Sequence, residues 1–517
     1  MMELADHGVD WIGALAKNGD AEALMIGGES ISYARLGEMS RNLVNDLNAL
    51  DLEAGDLVAV LATPSVPGVA LIHALLDRRI VLLPLNARLA EIEQLDLLMR
   101  ARPRFLIVSE SIDDGLAHRL VERGECGLVL LSPGEGRSGS LIEKRSGVRG
   151  VDGPDIDPHC DREIRRGLDL ALVLSTSGTS GPPKLAMLSR ENLVSSARAS
   201  TEMLGHQRDD RWLLCMPLFH IGGLSVLVRS ALVGTSVVVH EDFDPQRVAD
   251  SLEADRITRV SFVATMLERV IDVRGEKRSP ASLVLVLLGG GPATTELLHR
   301  AESLGYPVAP TYGLTEAASQ VATRPPLHEA ERPIAPDRDL AAGLQALADV
   351  ELRIVDADGG RVADGVEGEI CVRGPIVMQG YFEDPVATSE AIAIGWLMTG
   401  DIGRLDAAGH LRVLDRRSDL ILSGGENVYP AEIESVIASH PDVEQVGVTG
   451  RPDAKFGSRP IAFVVWRGSE PMDAETLEAL CRERLAGYKV PVAFFEAPHL
   501  PRTTSGKLIR RLLRRDA

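Results

Sequence analysis

Small and hydroxylic residues follow a short apolar run in the sequence STSGTSGPPK, residues 175–184. Glycines allow a ligand to approach the backbone closely, hydroxyl and N–H groups donate hydrogen bonds, and Lys184 adds one positive charge. These properties are typical of a phosphate-binding loop, although no G-K-[ST] sequence opens a helix here as it does in a Walker A loop. Taken alone, the same residues could form a flexible hairpin of small side chains.

A second group of residues that could bind a ligand or a metal ion lies in TYGLTE, residues 311–316. Tyr312 offers an aromatic face and a hydroxyl, while Thr315 and Glu316 offer a hydroxyl and a carboxylate. Mg²⁺ prefers one or two carboxylates together with phosphate oxygens and water, so this pair could hold the ion beside a triphosphate. Three glycines at 289–291 follow an apolar run and could pack against a flat ring such as adenine, or simply form a strand-to-helix turn.

Three further polar side chains follow apolar runs. Asp401 closes GWLMTGD and is suited to accept hydrogen bonds from two ribose hydroxyls, and Arg416 could contact the same ribose or a phosphate. His220 lies beside a Gly-Gly pair after RWLLCMP, at the position where ligands bind in α/β sheets. A core histidine or a helix cap is an equally good interpretation of His220 on these residues alone.

The chain ends in HLPRTTSGKLIRRLLRR, where a polar loop presents Lys507 and a basic helix is expected to follow. This end could be a solvated basic tail or a nucleic-acid-binding patch. The net charge of −20, from 55 basic and 75 acidic residues, opposes nonspecific binding to nucleic acid and to anionic lipid. The nucleic-acid interpretation is therefore weak.

The elements that must position these residues follow an alternating pattern. Apolar strands alternate with amphipathic helices from about residue 22 onward, which predicts a parallel or mixed sheet covered on both faces. The polar, Gly-rich stretch 133–167 is predicted to be a loop or a connection between subdomains. From Val350 the pattern changes to short alternating strands typical of an antiparallel β element. We place a domain boundary at 415–419, followed by an α+β domain of about 100 residues.

Composition limits the class of protein. The 517 residues allow more than one domain, and the 45% hydrophobic and 25% charged content is ordinary for a soluble globular protein. The five cysteines are scattered without a CxxC pair, which argues against a disulfide framework or a zinc site and fits a reducing cytoplasm. The N-terminus lacks the pattern of a signal peptide, and no stretch reaches the ~20 apolar residues needed to span a bilayer.

The ordered motifs together resemble the acyl-adenylate-forming superfamily, which includes acyl-CoA synthetases, peptide-synthetase adenylation domains and luciferases. The motifs that carry this resemblance are STSGTSGPPK (175–184), TYGLTE (311–316), GWLMTGD (395–401), DRRSDLILSGGENVYP (415–430) and PRTTSGK (501–507). Within the superfamily, PLFHIGGLSVLVRSALVGTSVVVHEDFD (217–244) and RRSDLILSGGENVYPAEIE (416–434) are similar to o-succinylbenzoate–CoA ligases of menaquinone biosynthesis. One departure is the stretch 341–356, which lacks the usual Gly-x-Pro of the family.

The resemblance implies a fold and a division into domains. The fold class is α/β, with a large N-terminal domain of αβα-layered mixed sheets and a β-barrel-like subdomain, and a small mobile α+β C-terminal domain. The expected domains are residues 1–415, which bind ATP and the acid, and 416–517, a lid. The hinge is expected near Ser418, where serine is typical of the succinylbenzoate enzymes.

The resemblance also implies an activity: ATP-dependent activation of a carboxylic acid as acyl-AMP, then transfer of the acyl group to CoA. Lys507 would bridge the carboxylate and the α-phosphate, Glu316 would hold Mg²⁺, and His220 would orient the acid or close the site. The residues implied in binding ATP and CoA are Thr176, Ser177, Gly178, Thr179, Lys184, Gly290, Gly291, Thr311, Tyr312, Gly313, Thr315, Asp401, Arg416, Gly424 and Gly425. Tyr312 would stack on adenine, and Gly424 and Gly425 would line the path of the thiol.

Several alternatives stay open. The acid could be another aryl or fatty acid, and the thiol could belong to a carrier protein instead of CoA. A different class of protein would bind acyl-adenylate or nucleotide without turnover. The sequence leaves the oligomeric state open, a homodimer included, and predicts a cytoplasmic protein with no nucleic-acid partner and no integral membrane segment.

Overall fold

The computed structural model describes residues 10–109, 112, 114–124, 126–132, 139–144, 158–176, 183–290, 293, 295–325, 343–356, 358–415, 421–428, 430–467, 473–501 and 513. We call residues up to 415 the N-terminal part and residues from 421 the C-terminal part. Helices and strands alternate along the N-terminal part as the apolar pattern predicted.

The described α-helices, in chain order, are α1 (Trp11–Lys17), α2 (Tyr33–Ala49), α3 (Val66–Asp77), α4 (Glu91–Ala101), α5 (Asp114–Gly124), α6 (Pro158–Gly167), α7 (Arg190–Leu204), α8 (Ile221–Val233), α9 (Pro245–Ala254), α10 (Ala264–Arg274), α11 (Thr295–Ser303), α12 (Pro385–Ala391), α13 (Pro430–Ala438) and α14 (Ala474–Arg484). Their starts follow capping rules: Ser32, Ser65 and Ser189 accept a hydrogen bond from an amide of the first turn of α2, α3 and α7.

The described strands, in chain order, are β1 (Glu22–Ile26), β2 (Glu29–Ser32), β3 (Leu57–Leu61), β4 (Val81–Pro84), β5 (Phe105–Ser109), β6 (Gly127–Ser132), β7 (Ser140–Lys144), β8 (Leu170–Thr176), β9 (Lys184–Ser189), β10 (Arg211–Leu214), β11 (Ser236–Val239), β12 (Arg259–Phe262), β13 (Leu285–Leu288), β14 (Val308–Leu314), β15 (Ser319–Thr323), β16 (Gln345–Ala346), β17 (Glu351–Val355), β18 (Gly368–Arg373), β19 (Gly380–Tyr381), β20 (Ile392–Ala393), β21 (Trp396–Leu405), β22 (Leu411–Asp415), β23 (Ile421–Ser423), β24 (Glu426–Val428), β25 (Val443–Asp453), β26 (Gly457–Trp466) and β27 (Phe494–Glu496).

Two mixed sheets form the body of the N-terminal part. One has eight strands in the order β19-β9-β8-β4-β3-β5-β6-β7, and the other has nine in the order β16-β15-β14-β13-β12-β10-β11-β1-β2. The central neighbours of both sheets pair in parallel, whereas pairs near the edges, such as β8–β9 and β1–β2, are antiparallel. The parallel strands carry almost unbroken apolar runs because both faces of each sheet are covered.

Alternate residues of each strand pack into different layers. In β3, Val58 and Val60 join the main core with α1, α2, α3, α7 and α8, while Leu57, Ala59 and Leu61 join a second cluster with α4 and α5. Strands of the nine-stranded sheet likewise divide between the main core and a cluster with α9, α10 and α11. The period-two alternation thus places one helical layer between the sheets and one outside each of them.

Two smaller sheets complete the described chain, one antiparallel and one antiparallel except for the parallel pair β26–β27. A five-stranded sheet contains β17, β18, β21 and β20 with β22 added beside β21. The C-terminal part has its own sheet, in the order β24-β23-β26-β25 with β27 beside β26, and its own core with α13 and α14. The α/β fold class with a large N-terminal and a small α+β C-terminal domain is confirmed.

One prediction about the elements is wrong. The stretch 133–167 is not only a connection, because it contains β7 on the edge of the eight-stranded sheet and the helix α6. Helix α6 is almost devoid of apolar residues, so its sequence carries no helical apolar stripe to detect. The predicted boundary at 415–419 begins at the end of β22, and its residues 416–419 lie outside the described residues. No described helix combines the length and apolarity needed to cross a bilayer.

Candidate active site

The carboxyl ends of strands from both large sheets meet at a cavity of about 780 Å³. Thr176 ends β8, Gly289 and Gly290 follow β13, His220 follows β10 and Thr315 follows β14, and all of them line the cavity. Ligands bind at this edge of open α/β sheets because loops there diverge and leave a crevice. The C-terminal part closes one side of the cavity.

The structure brings together most of the described residues that the sequence singled out. Those that line the cavity are Thr176, His220, Gly290, Thr311, Gly313, Thr315, Glu316, Asp401 and Gly425. Lys184, Tyr312 and Gly424 lie next to this lining set and contact it through neighbours, as described below. The remaining predicted residues, Ser177, Gly178, Thr179, Gly291, Arg416, Ser418 and Lys507, lie outside the described residues.

A buried tyrosine orients Asp401. The Tyr312 hydroxyl donates a hydrogen bond of 2.7 Å to Oδ2 of Asp401, and the Asp401 amide donates to Thr399 Oγ1 at 3.1 Å. Tyr312 is 5% exposed and Asp401 is 9% exposed, so both are fixed by packing as well as by hydrogen bonds. A carboxylate held in this way presents a preorganised acceptor to the cavity.

Glu316 is connected to the end of the glycine-rich loop through Tyr381. The Tyr381 hydroxyl donates to Oε1 of Glu316 at 3.0 Å, and Lys184 Nζ lies 4.8 Å from the centre of the Tyr381 ring. Strand β19 carries Tyr381 and pairs with β9, which begins at Lys184. A cation above an aromatic face is attracted by the ring quadrupole, so one side chain holds both charged groups in place.

Sequence reasoning missed Tyr381 because its partners are distant in the chain. Glu316 is 65 residues away from Tyr381, and the β9–β19 pairing joins segments almost two hundred residues apart. The only local signal is an aromatic residue after glycine in QGYFEDP, and such a pair is equally common in ordinary turns and strand ends.

Behind the cavity, Thr311 belongs to a buried polar network. Its Oγ1 lies 2.6 Å from Thr323 Oγ1, and Gln320 Nε2 donates to Thr323 at 2.9 Å. The Ser200 hydroxyl donates to Gln320 Oε1 at 2.5 Å and accepts from Arg229 Nη1 at 3.0 Å. These hydrogen bonds hold Thr311 and Gln320 in fixed positions at the cavity wall.

Arg229 is the charged end of that network. It is 2% exposed, its guanidinium lies 4.3 Å from the Trp212 ring, and burial together with the charge of Arg259 lowers its pKa to about 9. Its Nε and Nη2 atoms have no hydrogen-bond partner within the described part of the chain. Helix α8 carries Arg229 one turn beyond Ser225, which lines the cavity.

Gly313 shows how closely the backbone packs at the cavity wall. A Cβ atom at this position would lie 1.7 Å from the carbonyl oxygen of Ser319, on the neighbouring strand β15. Any side chain would therefore separate β14 from β15 and displace Thr315 and Glu316.

The C-terminal part reaches the cavity through the turn between β23 and β24. Gly424 and Gly425 have φ angles of +62° and +87°, which suit glycine, and a Cβ atom on Gly425 would lie 3.3 Å from Val263. The next residue, Glu426, is 6% exposed and lies between His220 and Arg88 of the N-terminal part.

Glu426 makes two contacts across the two parts. Its Oε2 lies 3.3 Å from His220 Nε2, and Arg88 Nη1 donates to its Oε1 at 2.5 Å. Burial raises the pKa of Glu426, but hydrogen bonding and charge from His220 and Arg88 outweigh it and hold the pKa below the usual range. The carboxylate is thus ionised and accepts a hydrogen bond from the histidine ring. Sequence reasoning missed both Glu426 and Arg88, since their pairing depends on how the two parts meet.

Comparison with known proteins identifies the family. Residues 13–382 match the AMP-binding enzymes, and residues 432–507 match the C-terminal domain of AMP-binding enzymes. The chain belongs to the AMP-binding enzyme family. The resemblance inferred from the sequence motifs is confirmed.

Two curated relatives of this AMP-binding enzyme carry the same name. The 2-succinylbenzoate–CoA ligase of Bacillus licheniformis is 37% identical over 99% of this chain and 100% of its own length. The ligase of the same name from Geobacillus kaustophilus is 39% identical over 95% of this chain and 94% of its own length.

Solved structures agree with this relationship. A double mutant of o-succinylbenzoate CoA synthetase from Bacillus subtilis, bound to the product analogue OSB-NCoA, is 34% identical and superposes with a TM-score of 0.83 over 98% of both chains. The same Bacillus subtilis enzyme in complex with the acyl-adenylate intermediate OSB-AMP gives a TM-score of 0.68 at the same identity and coverage.

Proposed function

We propose that this AMP-binding enzyme is a 2-succinylbenzoate–CoA ligase. It would join the acid to AMP with release of pyrophosphate and then transfer the acyl group to CoA. The observation that carries the proposal is one cavity lined both by Glu316 and Asp401 of the N-terminal part and by residues of α4 and of the C-terminal part. A nucleotide and a thiol would therefore meet in this one cavity.

The first half-reaction has an electrostatic obstacle. A carboxylate oxygen must attack the α-phosphorus of ATP, which is itself a polyanion, while the bond to pyrophosphate breaks. Preorganised cations and hydrogen-bond donors lower this barrier. Lys507 would supply the cation at the reacting centre, and Thr176, Ser177, Gly178, Thr179 and Lys184 would bind the departing phosphates.

The nucleotide would be held by residues of the N-terminal part. Asp401, oriented by Tyr312, would accept the ribose hydroxyls with help from Arg416. The adenine would lie against Gly290 and Gly291 and stack on Tyr312, with Thr311, Gly313 and Thr315 forming the adjoining wall.

Magnesium fits the donors present. No three His, Cys, Asp or Glu side chains gather as a metal cage in the described part of the chain, and Glu316 brings one carboxylate to the cavity wall beside Thr315. Mg²⁺ is commonly bound by one or two carboxylates plus substrate phosphates, so Glu316 would hold it. The ion would neutralise the charge that develops on the phosphate oxygens.

The second carboxylate of 2-succinylbenzoate needs a partner of its own. Only one carboxylate becomes the acyl group, and the other stays charged when it is buried. Arg229, buried on α8 one helical turn beyond Ser225 and with two nitrogens that lack a partner in the described part of the chain, would attract it. Pairing would offset the cost of burying both charges.

We further propose that the C-terminal part lies in the orientation of the second half-reaction. Support comes from the higher TM-score with the product-analogue complex than with the acyl-adenylate complex of the same enzyme, and from the contacts of Gly425 and Glu426 at the cavity. Rotation about Ser418, between domains 1–415 and 416–517, would exchange this face for Lys507. In the present orientation Gly424 and Gly425 would border the thiol's path, and His220, held by Glu426, would close the acyl pocket.

The test is acid-dependent exchange of pyrophosphate into ATP with a panel of acids that includes 2-succinylbenzoate. We expect 2-succinylbenzoate to give the highest kcat/KM. A better rate with another aryl or fatty acid would overturn the substrate, and failure to release AMP with any acid would favour a binding protein without turnover.

Replacing CoA by a carrier-protein thiol tests the acceptor. A cytoplasmic location and a homodimer belong to the same proposal and are tested by fractionation and by light scattering.

A further inference from the structure

A buried three-member ion cluster joins the two parts of the chain through residues other than Glu426, His220 and Arg88. Lys489 Nζ lies 2.6 Å from Glu93 Oε1 and 2.7 Å from Glu432 Oε1. The exposed fractions of the Lys489, Glu93 and Glu432 side chains are 7%, 10% and 13%. Ion pairs shielded from water to this degree are far stronger than exposed ones.

Glu93 uses both of its carboxylate oxygens. Its Oε1 accepts from Lys489, while its Oε2 accepts from the amides of Ala90 and Ala486, each at 2.8 Å. Ala90 precedes α4, so Glu93 stabilises the start of its own helix. Ala486 and Lys489 belong to the C-terminal part, so the same side chain also makes two bonds across the interface.

The cluster divides unequally between the two parts. Glu432 on α13 and Lys489 both belong to the C-terminal part, and Glu93 alone belongs to the N-terminal part. If the C-terminal part rotated away, Lys489 would keep Glu432 as its partner and Glu93 would regain water. Neither part would then carry a buried, unpaired charge.

Two carboxylates share one ammonium group while the two parts are together. Burial raises the pKa of Glu432 to about 7, with Lys489 opposing the shift and Glu93 adding to it. Burial and the neighbouring Glu93 carboxylate therefore favour uptake of a proton by Glu432, which reduces the surplus negative charge of the closed cluster.

We propose that Glu93 and Lys489 are positioning residues for the second half-reaction: their pairing fixes the C-terminal part in the orientation that brings Gly425 and Glu426 to the cavity. This inference rests on the proposed function. Together with Glu426 between His220 and Arg88, it gives the C-terminal part a second point of attachment. Two separate attachments define an orientation, whereas one alone would leave the C-terminal part free to pivot. Both must separate before Lys507 can enter.

The test measures each half-reaction separately in Glu93→Gln and Lys489→Met. We expect thioester formation from preformed acyl-adenylate and CoA to slow by about tenfold or more, because losing one partner of a buried pair is costly. Acid-dependent ATP–pyrophosphate exchange should stay within about twofold of the wild type, because that step does not use this orientation. The double variant should slow the second step no more than the worse single variant.

Glu432→Gln is the matched control, because it removes a carboxylate from the same cluster but leaves the bond between the two parts. We expect it to change the second half-reaction by less than about threefold. An equal fall of both half-reactions in Glu93→Gln and Lys489→Met would show general damage to the fold and overturn the inference. So would an unchanged second half-reaction, or a Glu432→Gln variant as slow as Glu93→Gln.

A measurement without substrate separates this inference from the proposed function. Hydrogen–deuterium exchange at residues 485–489 reports the Ala486 amide, which donates to Glu93. Faster exchange there in Glu93→Gln and Lys489→Met, with the core of α3 unchanged, supports the attachment even if no acid is activated. Unchanged exchange in both variants overturns it, whereas inactivity of the wild-type protein toward every acid overturns only the proposed function.

Discussion

Tyr381 shows how a single side chain can link two charged groups of a site. Its hydroxyl bonds to Glu316 and its ring faces Lys184, so the proposed metal ligand and phosphate ligand share one support. Glu316 and Lys184 were predicted from residue type and local motif. Tyr381, Arg88 and Glu426 were not, because nothing near them in the sequence indicates which distant residue they contact.

Tyr381→Phe removes the hydroxyl but keeps the ring under Lys184. We expect the Mg²⁺ concentration for half-maximal ATP–pyrophosphate exchange to rise about tenfold, since a hydrogen bond to a carboxylate is lost. Thioester formation from preformed acyl-adenylate should not change. Tyr33→Phe is the control: it removes another buried hydroxyl, which donates to Ser230 and Thr235, and should lower the melting temperature without altering the Mg²⁺ dependence. The same Mg²⁺ dependence in Tyr381→Phe and wild type would contradict this role.

Lys507→Ala tests the proposed division of labour between the two half-reactions. Loss of the cation should abolish acid-dependent ATP–pyrophosphate exchange, because the carboxylate and the α-phosphate repel each other without it. Thioester formation from preformed acyl-adenylate should persist. If both half-reactions fell by the same factor, Lys507 would not be specific to the first.

At the scale of elements, the apolar pattern predicted most strands and helices because burial on both faces leaves long apolar runs. It failed for α6, whose polar sequence has no stripe, and for β7, which pairs at the sheet edge. Residue spacing could not reveal how β19 pairs with β9 or how the C-terminal part meets α4, since both depend on contacts between distant segments.

The two-residue turn between β20 and β21 has a strained backbone conformation that a substitution could relieve. Ile394 has a φ angle of +51° and is 98% exposed, although a β-branched side chain disfavours this conformation. Ile394→Asn should stabilise the protein by about 1 kcal/mol, because asparagine tolerates the left-handed region. Thermal unfolding should show a higher midpoint for Ile394→Asn and none of this gain for the β-branched control Ile394→Val. A lower midpoint for Ile394→Asn would contradict the expected strain.

Helix α3 carries an acid-sensitive residue in the main core. Burial lowers the pKa of His73 from 6.5 to about 4, so the folded protein keeps this ring neutral while the unfolded chain takes up a proton below pH 6.5. Stability is therefore complete above pH 6.5 and falls as the pH drops toward 4, by about 2 kcal/mol at pH 5.

The melting temperatures of His73→Met and wild type at pH 7.5 and pH 5 test this effect. The acid-induced decrease should be smaller in His73→Met. His299→Met, at an exposed position of α11, should keep the decrease of the wild type. An equal decrease in His73→Met and wild type would show that another group is responsible.

At the scale of the whole molecule, the proposed mechanism uses one cavity for two reactions, with the C-terminal part presenting a different face to it in each. In the present orientation it presents Gly425 and Glu426 and is attached through Arg88, His220 and Glu93. The sequence motifs predicted the family and the two-part fold. The orientation could not be predicted, since it depends on ion pairs between parts that are hundreds of residues apart.

The most direct test of the proposed ligase activity is a stoichiometric one. The protein is incubated with ATP, Mg²⁺, 2-succinylbenzoate and CoA, and AMP, ADP and the acyl-CoA thioester are quantified by liquid chromatography and mass spectrometry. The two-step reaction predicts one AMP for each thioester and no acid-dependent ADP. Thioester accompanied by ADP, or AMP released while CoA stays unacylated, would contradict it.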